Sequence, residues 1–462
     1  MTAAGRSISG ANLDNSLIPA QASHWRGWRA LVGGERVFTH NFIVASGTIA
    51  AGGLGVLFQS LVSHRLQPAD FGAVFAVLSL ITLIGLPASA FTLLMARETS
   101  RDRASGNQEG STVLLRGGNR ALLVAGLGLG AVLVVVSPVL DRFLAVRTEL
   151  LIAAAAGLPF GLALPLLLGE FQGEQRFVSF AALSTGQAAL KLIGAIALGS
   201  MWGPVGIIAG ISVAGAAVYL MGLLMLRKKL SIRPRLPWWR PAAAYLAVVL
   251  PSTLALGVLL STDVLLVKHF FPTKVAGEYA AIAALGRAIF WGATGVAAVL
   301  FPKIVFRGAS GLSGSPLVGV SLFLVGLGGV AGLALVSLGS RWLLLAFAGS
   351  AYAGAAMYLP WYSIGMIFLG AAAVLIATHQ TRGTPGFLAV LVPLTALEPI
   401  LLLLFHQSLW QMVAVLDISM ALVTVGLGAL YLVQERNKTS TATLVATSGP
   451  GASNVAPAEI IG

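Results

Sequence analysis

The chain has 462 residues, of which 57% are hydrophobic and only 10% are charged, and it contains no cysteine. An ordinary soluble domain has about 25% charged residues. So few charges exclude a soluble globular enzyme and a disordered chain, and the lack of cysteine excludes disulfides and thiolate metal sites. The composition therefore predicts a polytopic α-helical membrane protein. Its apolar stretches are continuous rather than alternating, which argues against a transmembrane barrel.

Twelve hydrophobic segments are long enough to cross a bilayer, because a spanning helix needs about 20 mostly apolar residues. In chain order they cover residues 42–63, 71–95, 121–140, 150–170, 178–199, 204–226, 242–267, 277–301, 316–339, 355–379, 386–406 and 410–432. The loops between them are too short to hold a soluble catalytic domain. No P-loop, HExxH or GxSxG motif occurs, and no histidines cluster with carboxylates at metal-ligand spacing. We therefore expect a transporter rather than an enzyme, with no metal site.

The distribution of basic residues predicts the orientation of the chain. With the N-terminus in the cytoplasm, 21 of the 29 lysines and arginines lie in cytoplasmic segments and 6 lie in outer loops. The positive-inside rule then places both termini in the cytoplasm. The net charge of +13 reflects this topology and contact with anionic lipid rather than nucleic-acid binding. The predicted parts are a cytoplasmic arm (1–40), two six-helix lobes (41–226 and 242–433), a basic linker between them (227–241) and a disordered cytoplasmic tail (434–462).

A faint internal repeat relates the two predicted lobes. Six helices in each half give both halves the same orientation, so the relating axis runs along the membrane normal. A shift of 205 residues superposes His64 on His269, Gly72 on Gly277, Ala76 on Ala281 and Leu80 on Leu285.

Two cations lie within predicted spans, where a charge costs about 2.5–3.5 kcal/mol on insertion. Lys191 is central in the fifth span, with Gln187 one turn before it on the same helix face. Arg287 lies midway along the eighth span, with Trp291 one turn after it. Either these cations pair with carboxylates for neutralisation alone, or they line a water-filled cavity and bind an anionic group. Phosphate suits arginine best among such groups.

Three carboxylates also fall within predicted spans. Glu398 is central in the eleventh span, so it is either a partner of one of the cations or a group that exchanges a proton or sodium ion. Asp263 is a second candidate for ion exchange. It lies near the outer end of its span, as Asp417 lies near the end of the twelfth, and snorkelling to the interface is the simpler explanation for both. No cofactor is expected beyond such a coupling ion.

Several stretches carry a family resemblance. The most specific is a block formed by residues 263–272, 276–279, 286–287 and 301–303. Shorter matching stretches are residues 65–66, 68–72, 169–173, 176–177 and 349–352. Together they resemble bacterial polysaccharide flippases of the O-antigen type, which belong to the multidrug/oligosaccharidyl-lipid/polysaccharide exporter superfamily.

The resemblance implies a two-lobed, twelve-helix inverted-V fold in the bacterial inner membrane. It implies a polyprenyl-diphosphate-linked oligosaccharide as cargo, flipped to the outer leaflet for polysaccharide or lipopolysaccharide biosynthesis, with a polysaccharide polymerase and assembly proteins as candidate partners. Cavity cations of this family receive the diphosphate and acidic sugars, but their positions vary, so we give that role to Arg287 and Lys191 by chemistry and treat Arg65 as an entry or exit contact. Gln187 and Trp291 accompany the two cations as substrate-binding candidates.

Three alternatives remain open at this point. A multidrug or cation antiporter of the same superfamily would favour a cavity dominated by carboxylates, so Lys191 and Arg287 count against it. A peptidoglycan-precursor flippase would be essential for growth. A non-transport membrane enzyme such as a polymerase would need larger extramembrane loops than this chain has.

Overall fold

The computed structural model describes residues 34–106, 109–230, 240–309, 315–382 and 385–447. Helix dominates these ranges, and they contain no β-strand. Most of the predicted cytoplasmic arm (1–33), the centre of the basic linker (231–239) and the last part of the predicted tail (448–462) lie outside the described residues.

The first lobe is built from six helices that make six crossings. They are α1 (Gly34–Arg65), α2 (Pro68–Gly85), α3 (Ser89–Ser105), α4 (Glu109–Leu144), α5 (Thr148–Gly173) and α6 (Phe177–Leu230). A 3-10 turn at Leu86–Ala88 joins α2 to α3 within one crossing, because Pro87 interrupts the α-helical hydrogen bonds there. The 54 residues of α6 would extend about 80 Å, far more than one bilayer core. They divide at Gly203, whose backbone is left-handed (φ 58°), into the predicted fifth and sixth spans.

The second lobe repeats this arrangement. It consists of α7 (Arg240–Leu259), α8 (Thr262–Phe270), α9 (Thr273–Ala309), α10 (Ser315–Ala348), α11 (Leu359–Arg382), α12 (Leu388–Leu404) and α13 (Leu409–Thr447). The seventh span is discontinuous, since α7 ends before Leu260 and Ser261 and α8 begins after them. Helix α13 continues to Thr447, so the first part of the tail predicted to be disordered from residue 434 is helical.

Ten stretches of the described residues are long and apolar enough to cross a membrane. One of them divides at Gly203, and α9 supplies a further crossing, so the predicted all-α fold with about twelve spans is confirmed. Each lobe is organised around one central helix. Helix α5 packs against α3, α4 and α6, and α11 packs against α9, α10 and α13.

The lobes meet where α2 crosses α9, and a pair of glycines permits the close approach. A Cβ added to Gly72 would lie 2.9 Å from the Cα of Gly277, and a Cβ added to Gly277 would lie 1.7 Å from the carbonyl oxygen of Pro68. The two glycines are counterparts under the 205-residue shift. Residues related by a two-fold axis contact one another only close to that axis, so the axis that relates the lobes passes through this crossing.

We expect Gly277→Ala to destabilise the protein by about 1–3 kcal/mol, because the new methyl group overlaps backbone atoms of α2. Thermal unfolding in detergent measures this cost. The matched control is Gly292→Ala on the same helix, where an added Cβ meets no atom within 4 Å. That control should be neutral or stabilising, because alanine is the better helix former. Equal melting of the two variants would contradict the close crossing.

Candidate functional site

A buried ion pair lies within the second lobe. Asp263 occupies the first turn of α8, directly after the break in the seventh span, and its side chain is fully buried. Arg287 on α9 places Nη2 2.9 Å from Asp263 Oδ1 and is only 8% exposed. The N-terminus of a helix favours a negative charge, so the break in the span helps to hold the carboxylate there.

Two tyrosines complete the hydrogen bonding of this pair. The hydroxyls of Tyr279 and Tyr362 each donate to Asp263 Oδ2 at 3.0 Å. Arg287 Nε donates to the Tyr362 hydroxyl at 3.1 Å. A buried ion pair is tolerated only when its remaining donors and acceptors are satisfied. The tyrosines meet that condition, and Tyr362 links the pair to α11 at the centre of the lobe.

Arg287 also reaches the other lobe. Its Nη1 donates to Ser79 Oγ at 3.4 Å, and its guanidinium lies 5.3 Å from the ring centroid of Phe75. Both of these residues are on α2 of the first lobe. The guanidinium is therefore neutralised by a carboxylate of the second lobe, and it also contacts α2 of the first lobe.

The last two helices carry one buried carboxylic group each, and that of Glu398 lies near this pair. Glu398 on α12 is fully buried, and neither of its oxygens has a hydrogen-bond partner among the described residues. It lies within electrostatic range of Asp263 and Arg287. One oxygen of Asp417 on α13 is likewise buried and unbonded within the described ranges. A buried carboxylate without hydrogen bonds is costly, so Glu398 is stable only with a proton or a cation bound.

Lys191 occupies a related place in the first lobe. It is half-buried on α6, and its Nζ lies 4.2 Å from the ring centroid of Phe58 on α1. No carboxylate lies within ion-pair distance of Lys191 among the residues whose side chains are described. Phe58 is the counterpart of Asp263 under the 205-residue shift. The first lobe thus has an aromatic ring where the second lobe has the carboxylate of Asp263.

The predicted site residues divide into two groups in the structure. Arg287, Asp263 and Glu398 come together in the second lobe. Lys191 and the half-buried Gln187 share α6 in the first lobe.

Two further candidates lie away from these groups. Trp291 is 50% exposed and packs on its neighbour Phe290, with ring centroids 5.0 Å apart. Arg65 is exposed at the end of α1.

One expectation about the carboxylates was wrong, and one of the two alternatives for Glu398 is removed. Asp263 does not snorkel to the interface, because Arg287 neutralises it and both side chains are buried. Glu398 is not the ion-pair partner of Arg287 or Lys191, since Asp263 is closer to Arg287 and Glu398 has no bonded partner among the described side chains.

Sequence reasoning missed Tyr279, Tyr362, Ser79 and Phe75. A signal existed for Tyr279, which precedes Arg287 by eight residues and therefore lies on the same face of α9. No local pattern marks Tyr362, because its role depends on how α11 packs against α9. Among the described residues, no group of three or more histidine, aspartate or glutamate side chains is arranged to hold a metal ion.

A second buried ion pair lies in the first lobe, near the end of α6. Lys229 near the end of α6 pairs with the fully buried Glu170 of α5, which also accepts a hydrogen bond from Thr99 Oγ1 at 2.6 Å. Lys229 lies within the linker predicted from sequence. This part of the linker is therefore fixed to the first lobe.

Comparison with known proteins identifies the fold of the chain. Neither a family model nor a curated sequence matches the chain. An inward-facing multidrug resistance transporter of the MATE family, in the MOP superfamily, matches with a TM-score of 0.67, 13% identity, and coverage of 88% of this chain and 100% of that chain. A eukaryotic MATE transporter matches with a TM-score of 0.66, 13% identity, and coverage of 86% and 96%. The lipid II flippase MurJ, in an inward closed conformation, matches with a TM-score of 0.64, 14% identity, and coverage of 85% and 87%.

The chain therefore has the two-lobed membrane fold that MATE transporters share with MurJ. At 13–14% identity the likeness concerns the fold alone.

A double-mutant cycle tests the buried ion pair. We expect Asp263→Asn and Arg287→Gln each to lower the free energy of unfolding by about 3–5 kcal/mol, because each leaves the partner charge buried and uncompensated. The double variant should recover a coupling energy of about 1–3 kcal/mol. The control is Arg176→Gln, which breaks a partly exposed pair with Glu174 and should cost less than about 1 kcal/mol. Strictly additive single effects would contradict the pairing.

Proposed function

We propose that the chain moves a polyprenyl-diphosphate-linked oligosaccharide from the inner to the outer leaflet of the bacterial inner membrane, for surface polysaccharide biosynthesis. The two lobes alternate access to a cavity between them. The observation that carries this proposal is Lys191, a cation within a span that has no described carboxylate partner. Such a charge is costly unless an anion or water offsets it, which suits a diphosphate or an acidic sugar.

Arg287 is the proposed second contact for the cargo. Its bonds to Asp263 and Tyr362 use Nη2 and Nε, whereas among the described residues Nη1 makes only the long contact with Ser79. An oxygen of the diphosphate can replace Ser79 at Nη1 while the ion pair stays intact. Guanidinium binds phosphate oxygens through strong, directional hydrogen bonds, so this exchange is favourable.

Glu398 is the proposed ion-coupling group, and Asp263, which stays paired with Arg287, has a positioning role. Glu398 needs a proton or a cation while it is buried, and its release of that ion to one side of the membrane is coupled to rocking of the lobes. Proton and sodium coupling both fit this carboxylate.

The similar folds suggest two other functions. A multidrug antiporter is suggested by the MATE structures, but the uncompensated Lys191 would repel a cationic drug. A peptidoglycan-precursor flippase is suggested by MurJ, whose printed description is a lipid II flippase. The resemblance of the 263–303 block to O-antigen flippases favours the surface polysaccharide.

Lipid analysis of a strain that lacks the chain tests the cargo. We expect polyprenyl-diphosphate oligosaccharide to accumulate and the wild-type chain to relieve the accumulation. Lys191→Met should reduce flipping by about tenfold or more, because it removes a charged contact to the anion. Lys274→Met is the matched control, since Lys274 is exposed at the start of α9 and pairs only loosely with Glu278 at 4.0 Å.

Other outcomes of this experiment favour the alternatives. Drug sensitivity without lipid accumulation would favour the antiporter. Loss of viability with accumulated peptidoglycan precursor would favour the precursor flippase.

Transport in vesicles with an imposed proton or sodium gradient tests the coupling group. We expect Glu398→Gln to abolish stimulation by the gradient, because an amide neither releases a proton nor balances a cation. Its thermal stability should be equal to or higher than that of wild type, since a neutral group is cheaper to bury. Glu278→Gln, at the half-buried start of α9, is the control and should keep the stimulation. Unchanged stimulation in Glu398→Gln would exclude this residue as the coupling group.

A further inference from the structure

Besides the crossing at Gly72 and Gly277, the ends of four helices also bring the two lobes into contact. At one side Ser63 Oγ donates to the carbonyl oxygen of Phe347 at 3.1 Å. At the other side the ring of His269 stacks on Phe143 at 3.9 Å, and its Nδ1 lies 2.7 Å from the Phe143 carbonyl oxygen. Under the 205-residue shift the end of α1 corresponds to the end of α8, and the end of α4 to the end of α10. The two contacts therefore join equivalent pairs of helix ends on either side of the axis at Gly72 and Gly277.

Tyr352 adds a contact that has no counterpart at the other pair of helix ends. Its hydroxyl lies 3.2 Å from the Ser63 carbonyl oxygen and 2.9 Å from the Leu66 carbonyl oxygen. These carbonyls lie where α1 ends, so they have no partner within the helix. Arg147 stands at the corresponding place of the first lobe and cannot supply a buried phenolic hydroxyl. One tyrosine of the second lobe therefore caps a helix of the first.

An aromatic column connects Tyr352 to Arg287. The edge of Tyr352 meets Phe71 with ring centroids 5.7 Å apart, Phe71 stacks on Phe75 at 5.8 Å, and Phe75 lies beneath the Arg287 guanidinium. Phe71, Phe75 and Ser79 are spaced by four residues on α2, so they form one face of that helix. Any movement of α2 away from Arg287 must also disturb the contact between Phe71 and Tyr352.

We propose that this surface is the outer gate, that Tyr352 is its latch, and that the grip of Arg287 on α2 keeps the latch engaged. Anionic cargo that draws the guanidinium from Phe75 and Ser79 releases α2 and opens the gate. This mechanism rests on the alternating access proposed above, and the orientation follows from the predicted topology.

Lys268 opposes closure of the same gate. Its side chain is 3% exposed, and its Nζ has no hydrogen-bond partner among the described residues. Asp70, at the start of α2, attracts it electrostatically, but the two form no ion pair and the attraction is smaller than the cost of burial. Burying an ammonium group without hydrogen bonds is unfavourable, and opening of the gate relieves that cost.

Cysteine labelling tests the gate, because the chain has no native cysteine. Ala276→Cys is the reporter, since Ala276 is 3% exposed beside Gly277 at the lobe crossing. A membrane-impermeant maleimide added to intact cells labels this reporter only when the outer gate opens. Thr273→Cys, which is exposed at the start of α9, is the positive control. Ala163→Cys, which is fully buried inside the first lobe, is the negative control.

Two variants should change labelling in opposite directions. We expect Tyr352→Phe to speed labelling of Ala276→Cys by about three- to tenfold, because the hydroxyl contacts are lost. Lys268→Met should slow labelling below the wild-type rate. Tyr358→Phe, which alters a tyrosine that packs on Trp410, is the matched control and should have no effect. General destabilisation cannot produce slower labelling, so the Lys268 variant separates gating from damage to the fold.

The aromatic column is tested by a third variant. Phe75→Leu should also speed labelling, and its combination with Tyr352→Phe should give less than the product of the two single effects. Unchanged labelling in Tyr352→Phe, or faster labelling in Lys268→Met, would overturn the proposal. Lack of labelling at Thr273→Cys in intact cells would overturn the assignment of this surface to the outer side. The assay needs no cargo, so its result stands apart from the identity of the transported lipid.

Discussion

The ion pair between Arg287 and Asp263 is the constraint on which the rest of the molecule depends. Two opposite charges are held in an apolar helical bundle, where neither is tolerated alone. The break in the seventh span supplies a helix N-terminus for Asp263, and two tyrosines satisfy its remaining oxygen. Helices α8, α9 and α11 are thereby fixed relative to one another.

The internal repeat explains where the lobes meet. The lobes differ in the side chains that they carry at equivalent positions. Gly72 and Gly277 lie at the axis and keep the crossing tight because neither has a side chain. Phe58 and Asp263 are counterparts, yet the first presents an aromatic ring to a lysine and the second a carboxylate to an arginine. The symmetric framework thus carries an asymmetric charge pattern.

The sequence predicted the fold well because spanning helices are determined by local composition, and the 205-residue shift identified the glycines of the lobe crossing. It also selected Arg287, Lys191, Asp263 and Glu398, since charges within spans are rare and therefore conspicuous. Their pairing was not predictable. Which carboxylate meets Arg287 depends on the packing of α8 against α9 and on a break in the helix that has no strong sequence signal. Tyr362 escaped notice for the same reason, because a tyrosine is unremarkable until its neighbours are known.

The relative strengths of the contacts of Arg287 determine which of them gives way when the lobes move. Its bonds to Asp263 and Tyr362 lie within the second lobe, and breaking that ion pair would cost about 3–5 kcal/mol. Its contacts across the interface are one long hydrogen bond to Ser79 and a cation–π contact with Phe75, each worth about 0.5–2 kcal/mol. A cargo shifts a conformational equilibrium only by the difference in its affinity for the two states. Under the proposed function, a bound phosphate would have only the weak interlobe contacts to replace, an exchange within reach of one charge-assisted hydrogen bond, and the costly ion pair would stay intact.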